Sequence, residues 1–246
     1  MRAKMLLAFV SVFSIIFVIL GYFTVNQVVK QAEDQLAKQN RETAVGAAKL
    51  ISGDDMLELQ KEIPVAVPPS KFPDNFPTDN PLYNKLCQQL VDLRTSVPNA
   101  SPYTYFLDPD TKKLLWETSY LYDPPVDGAA GFRGEVAPFF DGGENSEAYK
   151  LMLSAVNKVV FNPPYTDSFG RWESTYAPIK DSSGNNVAVL GVDFDMNYVD
   201  KVRSDALWGI LPILLVSYAV LIFMVLVLAT WLTRPLKRLT VASQRI

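Results

Sequence analysis

Two long apolar runs divide this chain of 246 residues into a large polar middle segment and two short polar ends. The runs cover residues 5–25 and 207–232, and neither contains a charged residue. A helix needs about 20 apolar residues to cross a hydrocarbon core roughly 30 Å thick. The pattern therefore predicts two transmembrane helices on either side of a polar segment at 26–206.

Charge is distributed unevenly about these runs. All 26 acidic residues lie in the middle segment, whereas residues 1–4 and 233–246 carry only basic side chains. Short flanks rich in Lys and Arg remain in the cytoplasm. We therefore expect a two-pass protein of the plasma (inner) membrane, with both termini cytoplasmic and 26–206 periplasmic or extracellular.

The first run has an alternative interpretation as a cleaved signal peptide. The apolar region of a signal peptide normally has about 7–15 residues and ends at a pair of small residues. Here the run has 21 residues, and no such pair follows it at 21–26. We expect the run to be retained as an anchor. The second run is bracketed by Trp208 and Trp231, which is typical of side chains at membrane interfaces.

Composition limits the chemistry of the middle segment. The chain contains no His, the commonest general base and zinc ligand, and its single Cys87 cannot form an intramolecular disulfide. No catalytic or phosphate-binding motif is present, so we expect neither an enzyme in this region nor a metal or cofactor. The acidic middle segment argues against nucleic acid as a partner.

The period of the apolar positions predicts the elements of the middle segment. It is near 3.6 residues from 26 to about 60, where it predicts a helix that continues the first span, and it changes to two after residue 100. Prolines between 63 and 81 exclude regular structure there. The predicted order is helix 82–97, strands 103–107 and 113–120, loop 122–145, helix 146–157, strands 172–179 and 186–194, and helix 196–206. The predicted fold class is α+β, a long N-terminal helix packed on a small antiparallel sheet, between two transmembrane helices.

Two segments resemble known families. Residues 168–179 (SFGRWESTYAPI), the turn DSSG at 181–184 and the strand VAVLGVDFD at 187–195 resemble the closing hairpin of an extracytoplasmic single Cache (PAS-like) sensor domain. Residues 233–240 (TRPLKRLT) are similar to the start of a HAMP linker, of which only the first helix is present. The resemblance implies a bacterial-type receptor that works as a homodimer. It also implies that an output module follows, such as a histidine kinase, a cyclase, a phosphatase or a chemoreceptor module.

Side-chain alternation suggests where a ligand binds. On the last strand, Gly191 and Asp193 share one face, while Leu190, Val192 and Phe194 share the other, apolar face. Aromatic residues alternate on the neighbouring strands, and an arginine lies between glycines at 128–134. Such a set suits a small polar or carboxylate-bearing molecule. The predicted ligand-binding residues are Arg133, Asp193, Trp116, Trp172, Tyr176 and Tyr105.

Other roles for these residues remain open. Asp193 and Asp195 could cap the helix that begins near 196, and Arg133 could pair with Glu135 or Asp127. Trp116 and Trp172 could be core residues. The function predicted from the sequence is a membrane-bound sensor that binds a small solute outside and signals through the second span. The alternative is a membrane-anchored ectodomain that binds a protein partner.

Overall fold

The computed structural model describes residues 2–64, 76–121, 131–167 and 170–243. Most of the predicted proline-rich segment, residues 122–130 of the predicted loop (with Asp127), and Ser168 and Phe169 lie outside these ranges. The chain forms two compact units, Met1–Glu33 with Tyr198–Ile246, and Asp34–Asn197.

The first unit contains the apolar parts of two long helices, α1 (Arg2–Ala48) and α5 (Asn197–Ser243). Both are long and apolar enough to cross a membrane. They contact one another through the ring of Tyr218, which meets the Phe17 ring edge-on with centroids 5.6 Å apart, and through a hydrogen bond between the Tyr218 and Ser14 hydroxyls. Gly21 lies against Leu214, whose Cδ1 would be 2.9 Å from an added Cβ. A small residue thus lets the two helices approach closely.

The second unit is built on a five-stranded antiparallel sheet. Its strands are β1 (Ala100–Leu107), β2 (Leu114–Ser119), β3 (Val160–Thr166), β4 (Arg171–Lys180) and β5 (Asn186–Asp195). Their order in space is β2-β1-β5-β4-β3, so β5 is the central strand and is paired on both sides. The predicted α+β fold with a small antiparallel sheet is confirmed.

Strand β3 was not predicted, because Pro163 and Pro164 interrupt its pattern. Proline has no amide hydrogen for a sheet and is confined to edge strands and bulges. The structure meets both conditions, since β3 is an edge strand and its register with β4 shifts between Asn162 and Tyr165. The prolines lie at that shift. Pairing with β4, the next strand along the chain, makes this segment a strand.

The predicted helix from 26 to about 60 is two helices. Helix α1 ends at Ala48, and α2 (Gly53–Glu62) begins after Ser52, whose side chain accepts a hydrogen bond from the amide of Asp55. Gly53 is required at this start, because an added Cβ would lie 2.3 Å from the Lys180 carbonyl oxygen. The close approach places α2 against the β4–β5 hairpin. Helix α3 (Pro81–Ser96) is capped by Asn80.

The two faces of the sheet are covered differently. Helices α2 and α3 contact β1, β2 and β5 on the face that carries the fully buried Leu190, Val192 and Phe194. The end of α1 is attached through the Asn40 side-chain amide, which donates to the Glu173 carbonyl at 2.8 Å. The other face is covered by α4 (Glu147–Ser154) and by the short 3-10 helices Ala137–Phe139 and Gly143–Asn145. Its core contains Tyr105, Tyr176, Val189 and Met152.

Candidate ligand-binding site

A cavity of about 260 Å³ lies on the α4 face, beyond the part of the sheet that α4 covers. At roughly 30 Å³ per molecule, this is the volume of about nine waters, enough for a small solute. Residues of all five strands and of the 3-10 helix Ala137–Phe139 contribute to its walls, among them Tyr103, Trp116, Phe139, Tyr165, Trp172 and Asp193.

Asp193 is the central polar group of the cavity wall. It is only 8% exposed, and its Oδ1 accepts hydrogen bonds from the Ser174 hydroxyl at 2.6 Å and the Tyr103 hydroxyl at 3.0 Å. Ser174 in turn is hydrogen-bonded to the Tyr165 hydroxyl at 2.9 Å. No other described residue donates to Oδ2 of Asp193. One carboxylate oxygen is therefore fixed by the protein, while the other has no protein donor.

Burial raises the pKa of Asp193 to about 7. The hydrogen bonds from Ser174 and Tyr103 oppose this rise, and the negative charge of Asp167 adds to it. A buried carboxyl group with a raised pKa beside a cavity is typical of a functional site. The carboxyl group is thus poised to gain or lose its charge near neutral pH.

Gly191 explains how Tyr103 reaches Asp193. The two residues are register partners across β1 and β5, and an added Cβ on Gly191 would lie 2.4 Å from Cε2 of Tyr103. The tyrosine ring therefore lies flat over the glycine. The absence of a side chain at Gly191 lets the Tyr103 ring approach the strand closely. This position directs the Tyr103 hydroxyl to the Asp193 carboxylate.

Aromatic side chains are fixed around the carboxylate. The Trp172 indole donates through Nε1 to Oδ1 of Asp167 at 3.1 Å. The Trp116 ring meets the rings of Tyr103 and Phe139 edge-on, with centroids 5.1 and 5.6 Å apart. Nε1 of Trp116 is buried and has no hydrogen-bond partner in the part of the chain that the structure describes. It is a second polar group without a protein partner at the cavity wall.

The structure brings together three of the six predicted site residues. Asp193, Trp116 and Trp172 line the cavity. Tyr105 and Tyr176 are fully buried on the same face but do not line it. The Tyr105 hydroxyl donates to the Met152 carbonyl at 3.0 Å, and the Tyr176 hydroxyl accepts from the Asn162 side chain at 3.1 Å.

Arg133 lies apart from the other five. Its Nε donates to the Ile63 carbonyl at 2.6 Å and its Nη2 to the Gln60 carbonyl at 2.7 Å, so the guanidinium group caps the C-terminal end of α2. The guanidinium group also lies 5.0 Å from the centroid of the Phe106 ring. The suggested partner Glu135 is paired with Lys113 instead. The geometry gives Arg133 a structural role between α2 and β2.

Asp195 occupies the helix-cap position that was considered for both aspartates. Its Oδ1 accepts from the amide of Asn197 at 2.8 Å, where α5 begins. Asp193 lies two residues earlier and faces the cavity. Asp54 and Asp55 lie in the first turn of α2 after its cap Ser52.

Several residues of the cavity were not among the predicted six. They include Tyr103, Glu117, Phe139, Tyr165 and Asp167, and Ser174 lies behind Asp193. Alternation with Tyr105 could have identified Tyr103. Tyr165 lies on the strand that the prolines concealed, and no sequence signal indicated Asp167. Among the described residues, no group of three His, Cys, Asp or Glu side chains could hold a metal ion.

No protein-family model and no curated protein matches this sequence. Among solved structures, the chain is similar to one described as methyl-accepting chemotaxis protein X, with 10% identity, a TM-score of 0.43, and coverage of 80% of this chain and 68% of that one. It is also similar to the ligand-binding domain of the Campylobacter jejuni chemoreceptor Tlp3 in complex with L-valine (18% identity, TM-score 0.34, 74% and 66% covered). A third is the extracellular domain of a proposed histidine kinase, mmHK1S-Z2 (15% identity, TM-score 0.40, 74% and 64% covered).

Proposed function

We propose that this chain is the sensing part of a transmembrane receptor, and that residues 26–206 bind a small solute outside the membrane. The observation that carries the proposal is the aromatic cavity around Asp193, a buried carboxyl group with one oxygen that has no donor among the described residues. Burying such an oxygen is costly unless a partner completes its hydrogen bonds. A ligand with a hydrogen-bond donor would supply that partner.

The route of the signal follows from chain connectivity. Strand β5 carries Asp193 and ends at Asp195, whose side chain accepts from the first amide of α5. Helix α5 continues without interruption through the second apolar run into the HAMP-like residues 233–240. A ligand held by Asp193 is therefore bound four residues before α5, the helix that contains the second apolar run. It shifts that helix only if it binds two arrangements of the receptor with different affinities.

The orientation is testable with reporter fusions after Lys30 and after Arg245. The basic flanks predict that the first reporter lies outside and the second in the cytoplasm. A cytoplasmic signal from a fusion between 30 and 200 would contradict the proposed topology, whatever the cavity binds.

We further propose that the receptor is a homodimer with parallel stalks, as the HAMP resemblance implies. Single cysteines introduced along α1 at 28–36, in a chain whose Cys87 is replaced, should crosslink between subunits with a helical period. Uniform absence of crosslinks would contradict parallel stalks.

Ligand binding is tested on the full chain in detergent micelles. A panel of small cationic, neutral and anionic solutes is screened for a rise in melting temperature, because a ligand that binds only the folded state stabilises it. Active solutes should also change the fluorescence of a chain in which Trp208 and Trp231 are replaced by Phe, since Trp116 and Trp172 line the cavity. If no solute in any charge class acts, an ectodomain that binds a protein partner becomes the better account.

A further inference from the structure

The charge of the cavity wall is one-sided. Asp193, Asp167 and Glu117 line it, and no lysine or arginine is among the described residues that do. Two guanidinium groups of this domain are held by other partners. Arg133 caps α2, and Arg94 donates to the Ala100 carbonyl at 2.7 Å and to the Ser101 hydroxyl at 3.0 Å while it stacks on Tyr120. An anionic solute would thus meet carboxylates without a compensating cation.

One oxygen of the Asp193 carboxylate has no hydrogen-bond donor among the described residues. Ser174 and Tyr103 both donate to Oδ1, which leaves Oδ2 without a donor among the described residues. No positive charge contributes to its pKa, which burial raises and Asp167 raises further. A group that is 92% shielded from water and has no counter-charge is best completed by a positively charged donor.

The rings around Asp193 favour the same class of ligand. Trp116, Trp172, Tyr103, Tyr165 and Phe139 line the cavity. Aromatic faces attract organic cations within about 6 Å, most strongly when the site is shielded from water, and they also cover apolar groups. Trp172 is held by its bond to Asp167, and Trp116 by its edge-on contacts, so both rings are fixed before a ligand arrives.

We propose that this cavity binds a small organic cation, a primary or methylated amine, whose ammonium group pairs with Oδ2 of Asp193 while its apolar part lies against Trp116 and Trp172. This inference rests on the proposed sensing function and specifies the chemical class of its ligand. It replaces the carboxylate-bearing solute expected from the sequence, because that expectation relied on Arg133 as the anion partner and Arg133 does not line the cavity.

The test compares three probes with the same ring and different charge: cyclohexylammonium, cyclohexanol and cyclohexanecarboxylate. Each is titrated at pH 8, where Asp193 is ionised, into the full chain in detergent, with melting temperature and tryptophan fluorescence as readouts. We expect cyclohexylammonium to bind at least tenfold more tightly than cyclohexanol, and cyclohexanecarboxylate to bind more weakly than either.

Asp193→Asn is the decisive variant, because the amide oxygen can still accept from Ser174 and Tyr103 while the charge is lost. It should weaken cyclohexylammonium binding at least tenfold and leave cyclohexanol binding unchanged. Asp195→Asn is the matched control, since it removes the same charge two residues away, at the start of α5. Trp172→Leu should weaken cyclohexylammonium more than cyclohexanol, because only the cation is attracted by the ring face.

Each remaining outcome separates the two proposals. Equal affinities for all three probes, or a preference for the carboxylate, would overturn the cationic ligand and leave the sensing function standing. Cyclohexylammonium binding that Asp195→Asn weakens and Asp193→Asn does not would place the cation elsewhere and overturn the assignment. No binding of these probes or of the wider panel would contradict both proposals.

Discussion

Two buried carboxyl groups, Glu117 and Asp193, lie on opposite faces of the same sheet and have different surroundings. On the face covered by α2, Oε1 of Glu117 accepts from the Gln60 side chain at 2.9 Å, and Thr104 approaches Oε2 at 3.4 Å. The positive charge of Arg133 also acts on it. On the cavity face, Asp193 has two donors on one oxygen and no nearby cation. Both groups have a raised pKa and both line the cavity, but only Glu117 has a hydrogen-bond partner on each of its two oxygens.

The local sheet geometry produces this difference. Glu117 and Thr118 together oppose Thr104, because the register of β1 and β2 shifts between Tyr103 and Tyr105. The bulge directs both buried side chains toward Thr104, whose hydroxyl lies 2.7 Å from that of Thr118. Gln60 of α2 completes the network. A helix therefore completes the hydrogen bonds of Glu117, whereas both donors to Asp193 lie on strands and donate to the same oxygen. The packing of α2 thus distinguishes the carboxyl group that is bonded at both oxygens from the one that has an oxygen without a described donor.

The largest expected effect is on the helix-covered face. Leu190→Ala should lower the free energy of unfolding by about 2–5 kcal/mol, because it leaves a void beneath α2 and α3. The melting temperature of the full chain measures this. Val187→Ala, at a half-buried position of the same strand, is the control and should cost less. Equal losses would contradict the assignment of Leu190 to the core.

The second effect is a dependence of stability on pH. Burial raises the pKa of Asp193 from 3.8 to about 7 and that of Glu117 from 4.5 to about 8. At a pH between the ordinary pKa of each group, which holds in the unfolded state, and its raised pKa in the folded state, the folded state binds more protons. Stability therefore decreases as pH increases from about 4 to about 8. Because both carboxyl groups contribute, we expect a loss of several kcal/mol between pH 5 and pH 9, measured by denaturant unfolding at each pH.

Variants assign that dependence to the two faces. Asp193, with Tyr103, Ser174 and Asp167 around it, should account for the part up to about pH 7, which Asp193→Asn removes. Glu117, near Gln60, Thr104 and Arg133, should account for the part up to about pH 8, which Glu117→Gln removes. Asp195→Asn should leave the profile unchanged. Stability that increases over this range would show that neither carboxyl is desolvated as described.

The third effect concerns the approach of β5 to Tyr103. Gly191→Ala places a Cβ 2.4 Å from the Tyr103 ring, so the ring must move away from Asp193. We expect a loss of about 1–3 kcal/mol and weaker ligand binding. Replacing Tyr103 by Val in the same chain should restore part of the stability, which a thermal melt would detect. Gly46→Ala, in an exposed and uncrowded part of α1, should instead stabilise slightly.

The smallest expected effect distinguishes a structural arginine from a ligand-binding one. Arg133→Asn keeps a residue that tolerates the φ of 58° and removes the hydrogen bonds to the end of α2, at a cost of about 1–2 kcal/mol. Lys112→Asn, at an exposed position with a φ of 60°, is the matched control. Ligand affinity per folded molecule should not change. A tenfold loss of ligand affinity with unchanged stability would instead indicate that Arg133 binds the ligand.

Part of this protein follows from its sequence alone. The two apolar runs, the distribution of charge about them, the α+β order of elements and the alternation on β5 are local patterns that single segments carry. The alternation correctly separated Leu190 and Val192, which are buried under helices, from Gly191 and Asp193 on the other face. Asp193, Trp116 and Trp172 could be selected because each is a conspicuous residue at a position of known orientation.

The tertiary structure decided what depends on contacts between distant segments. Strand β3 exists because β4 pairs with a segment whose prolines lie at a bulge, and α2 is separate from α1 because Gly53 packs on the Lys180 carbonyl. Arg133 lies outside the predicted cavity because its guanidinium group donates to free carbonyls at the end of α2, about seventy residues earlier in the chain. Periodicity gives the face on which a side chain lies, but not the segment that covers that face. For this reason the sequence indicated a carboxylate near aromatic rings, whereas only the folded chain showed that no cation accompanies it among the residues that line the cavity.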